Sequence, residues 1–456
     1  MKKSAQYPKL SLLLLVLLVL ATQSVLGQGI LGIKGENTAS LGLYIKDLKT
    51  GKVVFESNAK KALIPASITK SLTSATALSL LGSDFRFRTR VTLDNYRLSK
   101  GRLTGTLTVH ATGDPTLESE FFMDNRGFCD SIARRLAERG VREFTGTITV
   151  EDTIPDSGQV ESWSIDDTPW DYGAGFYGLN WKDNTFLLYP ASGKSKPHVP
   201  DLKIIKHRNK SVDLKRGMGS STLHVYAPRK TLANNKWSVV TTMNNPAESM
   251  VHELKEALDK YDIKYTPAKK TKSSRGKDIV LYTHTSPSLD EMLRSLMVRS
   301  DNMFAEGMLR AIRPGKSRED ALEAEIDLWN KRGFDTEPIT LCDGSGLSRN
   351  DRFSPEFLGG VLEWMYKSPM AERYISYFPI SGKDGTMKNF CKANRLAGRL
   401  AFKTGSMNGV QCFAGYVLDS ENSKPTHVVV IMANSFYCSR AALREALERF
   451  LLSQLP

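Results

Sequence analysis

Three short runs carry side chains whose types and spacing suit acyl transfer: Ser67-Ile68-Thr69-Lys70, Ser300-Asp301-Asn302 and Lys403-Thr404-Gly405. A serine hydroxyl is a weak nucleophile until a base takes its proton. Positions i and i+3 share one helix face, with Cβ atoms about 5–6 Å apart. Lys70 therefore reaches the Ser67 oxygen if the pair opens a helix. A free lysine titrates near ~10.4 and is charged at neutral pH. To act as a base it must be neutral, which burial and a second cation both favour. Lys403 is the expected second cation. The positive end of the Ser67 helix adds to this bias and favours a developing oxyanion.

The other side chains take complementary roles. Ser300 is expected to relay the Ser67 proton to a leaving amine. Asn302, with one donor group and one acceptor, suits an amide. Lys403 and Thr404 suit a terminal carboxylate. Gly405 removes a side chain where an extended chain must approach a strand. The backbone N–H of Ser406, with that of Ser67, would form an oxyanion hole, worth roughly 10²–10³ in rate per donor. Each run alone has a plainer reading: Ser67 as a helix cap with an exposed Lys70, and Ser-Asp-Asn as capping chemistry. The three together, in this order, outweigh it.

The elements that must position these residues are legible in outline. Small and apolar residues at helical spacing over 67–81, after Pro65-Ala66 and before Gly82, predict a buried helix that opens on the serine. Alternation at 41–47 and 53–55 around Lys49-Thr50-Gly51-Lys52 predicts a hairpin. Between 83 and 282, short alternating runs (103–111, 147–151, 222–226, 237–242) are broken by Gly, Asp, Asn and Pro, which predicts β-rich inserted material. Helical spacing returns at 288–299, 304–312, 318–332 and 355–367. Runs 400–404, 414–418 and 427–433 read as strands of one sheet, and 439–452 as a closing amphipathic helix. The expected organisation is a catalytic domain from 28–82 and 283–456, an insert from 83–184 and 243–282, and a nested second insert over 185–242.

The chain of 456 residues is 41% apolar and 25% charged, which is globular composition with room for two or three domains. Residues 1–27 combine Lys2, Lys3 and Lys9 with an apolar run over 10–21 and Val25-Leu26-Gly27. That is a secretory signal pattern, too short for a comfortable span. No later stretch approaches spanning length, so a secreted, periplasmic or otherwise extracytoplasmic protein is expected. Formal net charge is +14, of which three lysines lie in the leader. The basic stretches at 203–216 and 269–277 lack interleaved aromatics, and with a leader present nucleic acid is a poor partner. An anionic wall or membrane surface suits the charge, as does a solvated basic face. The five cysteines (Cys129, Cys342, Cys391, Cys412, Cys438) fit no metal spacing and leave disulfides and buried thiols both open. Seven scattered histidines suggest no metal site. The aromatic stretch 163–181 suits core packing or a groove wall.

Taken with these motifs, the chain resembles the class C low-molecular-mass penicillin-binding proteins, the D-alanyl-D-alanine carboxypeptidase/endopeptidases. The resemblance also rests on Leu81-Gly82-Ser83-Asp84-Phe85-Arg86-Phe87, Gly113-Asp114-Pro115-Thr116-Leu117, Asp343-Gly344-Ser345-Gly346-Leu347-Ser348-Arg349 and Gly382-Lys383-Asp384-Gly385-Thr386. The long interval between Ser67 and Ser300 is similar to that family and unlike simple β-lactamases. The resemblance implies an α/β (α+β) penicillin-recognising, transpeptidase-like catalytic domain with nested β-rich insert domains. It implies Ser67 as the acylated nucleophile, Lys70 as base, Ser300 and Asn302 as the second motif, and Lys403, Thr404 and Gly405 as the third. Its partners would be peptidoglycan stem peptides and β-lactam antibiotics, with no cofactor or metal. Asp114 is expected either beside the cleft or, more simply, in a turn. The 343–349 run lacks the Walker lysine and reads as a structural loop near the site. The competing readings are a β-lactamase, for which no glutamate is evidently placed to activate a deacylating water, and a non-catalytic wall-binding protein.

Overall fold

The computed structural model describes residues 29–268, 277–421 and 423–456. The expected leader and most of the basic stretch at 269–277 lie outside the described residues. In chain order the elements are β1 (Ser40–Asp47), β2 (Val53–Ser57), α1 (Thr69–Leu81), β3 (Arg88–Ser99), β4 (Arg102–His110), α2 (Phe128–Glu138) and β5 (Glu143–Glu151). Then follow β6 (Thr185–Tyr189), β7 (Lys194–Lys196), β8 (Lys203–Arg208), β9 (Asp213–Lys215), β10 (Thr222–Ala227), α3 (Arg229–Leu232), β11 (Val239–Thr242), α4 (Pro246–Lys260), β12 (Lys264–Pro267) and β13 (Lys277–Thr285). The rest are α5 (Leu289–Arg299), α6 (Asn302–Ala311), α7 (Arg318–Lys331), α8 (Pro355–Lys367), α9 (Ala371–Ser376), β14 (Leu400–Met407), β15 (Val410–Leu418), β16 (Pro425–Asn434) and α10 (Arg440–Gln454).

Both ends of the chain build one antiparallel sheet in the order β14-β15-β16-β1-β2. β1 pairs with β16 from Ser40↔Asn434 to Asp47↔His427, so the first and last strands of the chain lie side by side. The reason these strands read as continuous apolar runs is that both faces are covered. Val428, Val430 and Met432 join the core shared with α1, α5, α6, α7 and α8. Val429, Ile431 and Ala433 point the other way, onto Leu443, Leu447 and Phe450 of α10. The helix starts have local causes. Ser288 and Ser317 close capping boxes with Glu291 and Asp320, and Ser354 and Ser439 cap α8 and α10.

Between α1 and α5 the chain makes three further sheets, ordered β12-β5-β4-β3-β13, β11-β6-β7 and β8-β10-β9. The first of these is not bare. Phe128, Ile132, Ala133 and Leu136 of α2, and Met250, Leu254, Ala257 and Leu258 of α4, pack on Val91, Leu93, Leu107 and Val109. The spacing of these residues is helical, and the turn-rich texture around them hid it. All five cysteines are free thiols, and Cys129, Cys391 and Cys412 are buried.

Candidate active site

Ser67 lies in a single 3-10 turn, Ala66–Ile68, that runs straight into α1. Ala66 takes a left-handed backbone (φ 49°), a conformation costly for a residue with a Cβ. Two glycines make room for it. A Cβ on Gly346 would come within 2.0 Å of the Ala66 carbonyl oxygen. A Cβ on Gly405 would stand 2.7 Å from Pro65 O and 3.0 Å from Ser67 N. Gly405 therefore lets β14 press against the serine turn itself. This demand is additional to its expected role, making room for an extended substrate backbone. Ser67 and Ser406, the residue after Gly405, both line the cleft.

Lys70 is fully buried one turn along from the serine, with Nζ 3.0 Å from Ser67 Oγ. Nζ also donates to Asn302 Oδ1 at 2.5 Å and to the Ser345 carbonyl at 2.6 Å. Two of these three partners can only accept. A neutral amine spends its two N–H groups on them and turns its lone pair toward the one partner able to give a proton, the Ser67 hydroxyl. Burial lowers the Lys70 pKa to about 8, while Asp343, Asp301, Glu306 and Asp351 pull the other way.

The second motif is set by a tight helix–helix junction. Ser300 ends α5 in the left-handed region (φ 64°), Asp301 caps α6 by accepting Phe304 N, and Asn302 is the first residue of α6. Ser300 and Asn302 thus face the cleft while Asp301 turns away to Arg299, 2.6 Å from it. Asn302 Nδ2 donates to Tyr172 O at 2.7 Å. Each polar atom of this amide makes one bond within the protein, so Asn302 holds the lysine and the 172 segment, with one N–H and one lone pair left on the cleft surface.

Lys403 departs furthest from expectation. It is fully buried, and its Nζ donates to Ser300 Oγ at 2.7 Å and to Thr404 O at 2.8 Å. Burial first, then the neighbouring Lys70, push its pKa well below the lysine range. No carboxylate supports its charge, whereas four support that of Lys70. Lys403 is thus the more readily neutralised amine, and the Ser300 hydroxyl stands between it and the cleft surface.

The cleft is lined by Ser67, Ser300, Asn302 and Ser406, with Asp167, Tyr172, Leu347, Arg349 and Arg440 around them. Lys70, Lys403, Thr404 and Gly405 stand behind that surface. Asp167 and Tyr172 come from the 163–181 stretch between β5 and β6, which the sequence offered as core packing or a groove wall, and Arg349 from the 343–349 run read as a loop near the site. Sequence reasoning did not single out Arg440 or the Ser345 carbonyl. The 343–349 loop is built by Asp343, which accepts Ser345 N at 3.0 Å, Gly346 N at 2.5 Å, Ser348 N at 2.7 Å and Trp163 Nε1 at 2.6 Å. A backbone carbonyl carries no signature in sequence, so nothing could have marked Ser345 as a lysine partner. The segment bearing Tyr172 is itself tied down, since Thr242 Oγ1 donates to Thr168 O and Thr241 Oγ1 to Pro169 O, each at 2.7 Å. Asp114 is buried outside the cleft lining, where it accepts Thr116 N and Oγ1, which makes it a turn residue. Burial lifts its pKa to about 6.

A sequence model of the D-Ala-D-Ala carboxypeptidase 3 (S13) family matches residues 33–450. The chain is 26% identical over 427 residues to a D-alanyl-D-alanine carboxypeptidase of Actinomadura sp. (strain R39), covering 85% of this chain and 77% of that one. It is 24% identical over 430 residues to D-alanyl-D-alanine carboxypeptidase DacB of Haemophilus influenzae, covering 86% and 85%. The crystal structure of penicillin binding protein 4 (dacB) from Haemophilus influenzae superposes with a TM-score of 0.75 at 22% identity, over 91% of this chain and 96% of that one. A structure of the same protein complexed with a β-lactam gives a TM-score of 0.70.

Proposed function

The chain belongs to the D-Ala-D-Ala carboxypeptidase 3 (S13) family, and from that premise we propose that Ser67 is the residue acylated during removal of the terminal D-alanine from peptidoglycan stem peptides. The protein is a serine-type D-alanyl-D-alanine carboxypeptidase. The observation that carries the assignment of its site is the triple contact of Lys70 Nζ, with Ser67 Oγ as the only partner able to donate.

In the first step Ser67 Oγ passes its proton to the Lys70 amine and bonds to the carbonyl carbon of the penultimate residue. The negative charge that forms on the carbonyl oxygen meets the backbone N–H groups of Ser67 and Ser406. The C–N bond then breaks. The proton travels from Lys70 by way of the Ser300 hydroxyl to the departing D-alanine amine. In the second step water attacks the ester, gives one proton to Lys70, and Ser67 Oγ recovers its hydrogen. The arriving terminal carboxylate has a further effect. Placed near Ser300 and Thr404, it supports a charge on Lys403, and a charged Lys403 discourages one on Lys70. Substrate binding itself would thereby bias the base toward its active form.

β-Lactams are acylating ligands of the same serine in this reading, and cross-linked wall peptides are substrates for endopeptidase action. The only carboxylate lining the cleft among the described residues is Asp167, whose Oδ1 accepts the Tyr172 hydroxyl. No glutamate there serves a deacylating water, which disfavours a β-lactamase. The site of action is extracytoplasmic, after loss of the leader over 1–27, and no helix among the described residues is long and apolar enough to cross a membrane. The division into a catalytic domain and two nested inserts is part of the same proposal.

The test is covalent labelling by a fluorescent penicillin, with D-alanine release from a stem pentapeptide measured alongside. Ser67→Ala should abolish both. An alanine variant that labels at full stoichiometry would remove Ser67 from the mechanism.

A further inference from the structure

Outside the cleft, one buried cation stands without an acid. Arg216, in the Gly- and Ser-rich turn between β9 and β10, is 5% exposed. Its Nη1 donates to Thr242 O at 2.6 Å, to Thr242 Oγ1 at 3.2 Å and to Asn244 Oδ1 at 2.9 Å. Nε is buried with no acceptor. Nη2 makes no hydrogen bond, and no ion pair reaches the guanidinium, among the described residues. Elsewhere this chain pairs its buried arginines: Arg318 Nε donates to Glu306 Oε2 at 2.9 Å, and Arg310 Nη1 lies 3.6 Å from Asp156 Oδ2. Removing a charge from water costs several kcal/mol unless a partner compensates, and arginine does not escape by losing its proton. Burial lowers the pKa only to about 10, so the charge persists at neutral pH.

Arg216 lines a pocket with Ser221, Asn244 and Asn245. Asn245 is the N-cap of α4, a helix of 15 residues whose positive end therefore meets the same space. Asp201 and Glu248 also line the pocket. Both are exposed and unpaired with Arg216. They oppose an extended polyanion and leave room for a small one. The pocket shares no lining residue with the cleft.

We propose that this pocket binds a small oxyanion, a carboxylate or a phosphate, on the Nε–Nη2 edge of Arg216 and the amino-terminal end of α4. Nη1 shares its two N–H groups among Thr242 O, Thr242 Oγ1 and Asn244 Oδ1, which leaves Nε and Nη2 without an acceptor among the described residues. A bound oxyanion would accept from Nε and Nη2 as a fork.

The experiment titrates the full protein with inorganic phosphate and, separately, with N-acetylmuramic acid as a carboxylate. Ionic strength is held constant with sodium chloride, and the thermal midpoint is followed. At least one probe should raise the midpoint saturably, by about 2–4 °C at high excess. The probe that does so names the source: a phosphate group or a sugar-linked carboxylate. Arg216→Gln should remove the rise. Asn245→Asp keeps a capping oxygen for Glu248 N, leaves the Nη1 bonds intact and adds a negative charge to the pocket. It should weaken binding about tenfold or more, and it decides the matter if the arginine variant does not fold. No saturable rise with either probe, or an undiminished rise in Asn245→Asp, overturns the proposal. The readout is unfolding, so a failure here leaves the assignment of Ser67 untouched.

Discussion

The cleft and the Arg216 pocket both bury cations, and they resolve the cost in opposite ways. In the cleft the cations are lysines. Burial lowers the pKa of Lys70 and Lys403, so the charge is more readily given up, as the proposed base requires. In the pocket the cation is an arginine, whose charge survives burial and leaves a demand for a counter-ion. The residue type chosen at a buried position thus separates a proton-handling site from an ion-holding one. A third arrangement sits between them: Arg318 and Glu306 are buried together, and Glu306 also accepts Gly344 N, beside the loop whose Ser345 carbonyl holds Lys70.

The contrast can be broken most sharply by moving arginine chemistry into the cleft. Lys70→Arg keeps a cation but supplies no base, and penicillin acylation should slow by ~10²–10⁴. A rate within threefold of the parent would mean that Lys70 does not take the serine proton. Next in size, Arg318→Ala turns the compensated pair into a stranded carboxylate. It should cost ~3–5 kcal/mol in a denaturant titration, and a loss under 1 kcal/mol would show that Glu306 needs no partner.

The pH profile sharpens the lysine side. The active form of Lys70 is the deprotonated one, so activity is gained as pH rises through its pKa of about 8 and lost as pH falls below it. Labelling rates measured from pH 6 to 9 should fall about tenfold per unit on the acid limb. A flat profile would contradict a buried amine base.

The smallest expected effect concerns a buried acid behind α1. Glu325 accepts Thr76 Oγ1 at 2.9 Å, its other oxygen has no partner, and burial lifts its pKa to about 8. A carboxyl whose folded pKa is raised is fully stabilising below its unfolded pKa, and that contribution is lost as pH rises toward 8. Relative to the parent, Glu325→Gln should therefore gain ~1–3 kcal/mol between pH 5 and pH 8. Parallel stability curves for the two proteins would refute this.

Much of the fold was legible where periodicity is strong. Residues 427–433 read as a strand because both faces are buried, and β16 spans Pro425–Asn434. The expected helix at 288–299 is α5, started by a capping box that local residues define. α2 and α4 were hidden because short amphipathic helices inside turn-rich sequence resemble the strands around them. At the site, the i, i+3 relation of Ser67 and Lys70 is a property of one helical turn, and the contact at 3.0 Å follows from it. The internal bonds of Asn302 were not legible, because an amide in sequence does not say which neighbours will claim its two ends.

The sequence by itself determined the candidate chemical side chains, their order, and the local geometry of the serine and its lysine, since backbone spacing alone sets such short-range relations. Tertiary structure alone decided that Lys403 is walled in behind Ser300, that a carbonyl of the 343–349 loop holds the Lys70 amine, that the segment between β5 and β6 lends Tyr172 to the cleft, and that Arg216 is left without an acid. Burial and backbone acceptors come from residues far apart in the chain, and neither has an address in the linear order of side chains.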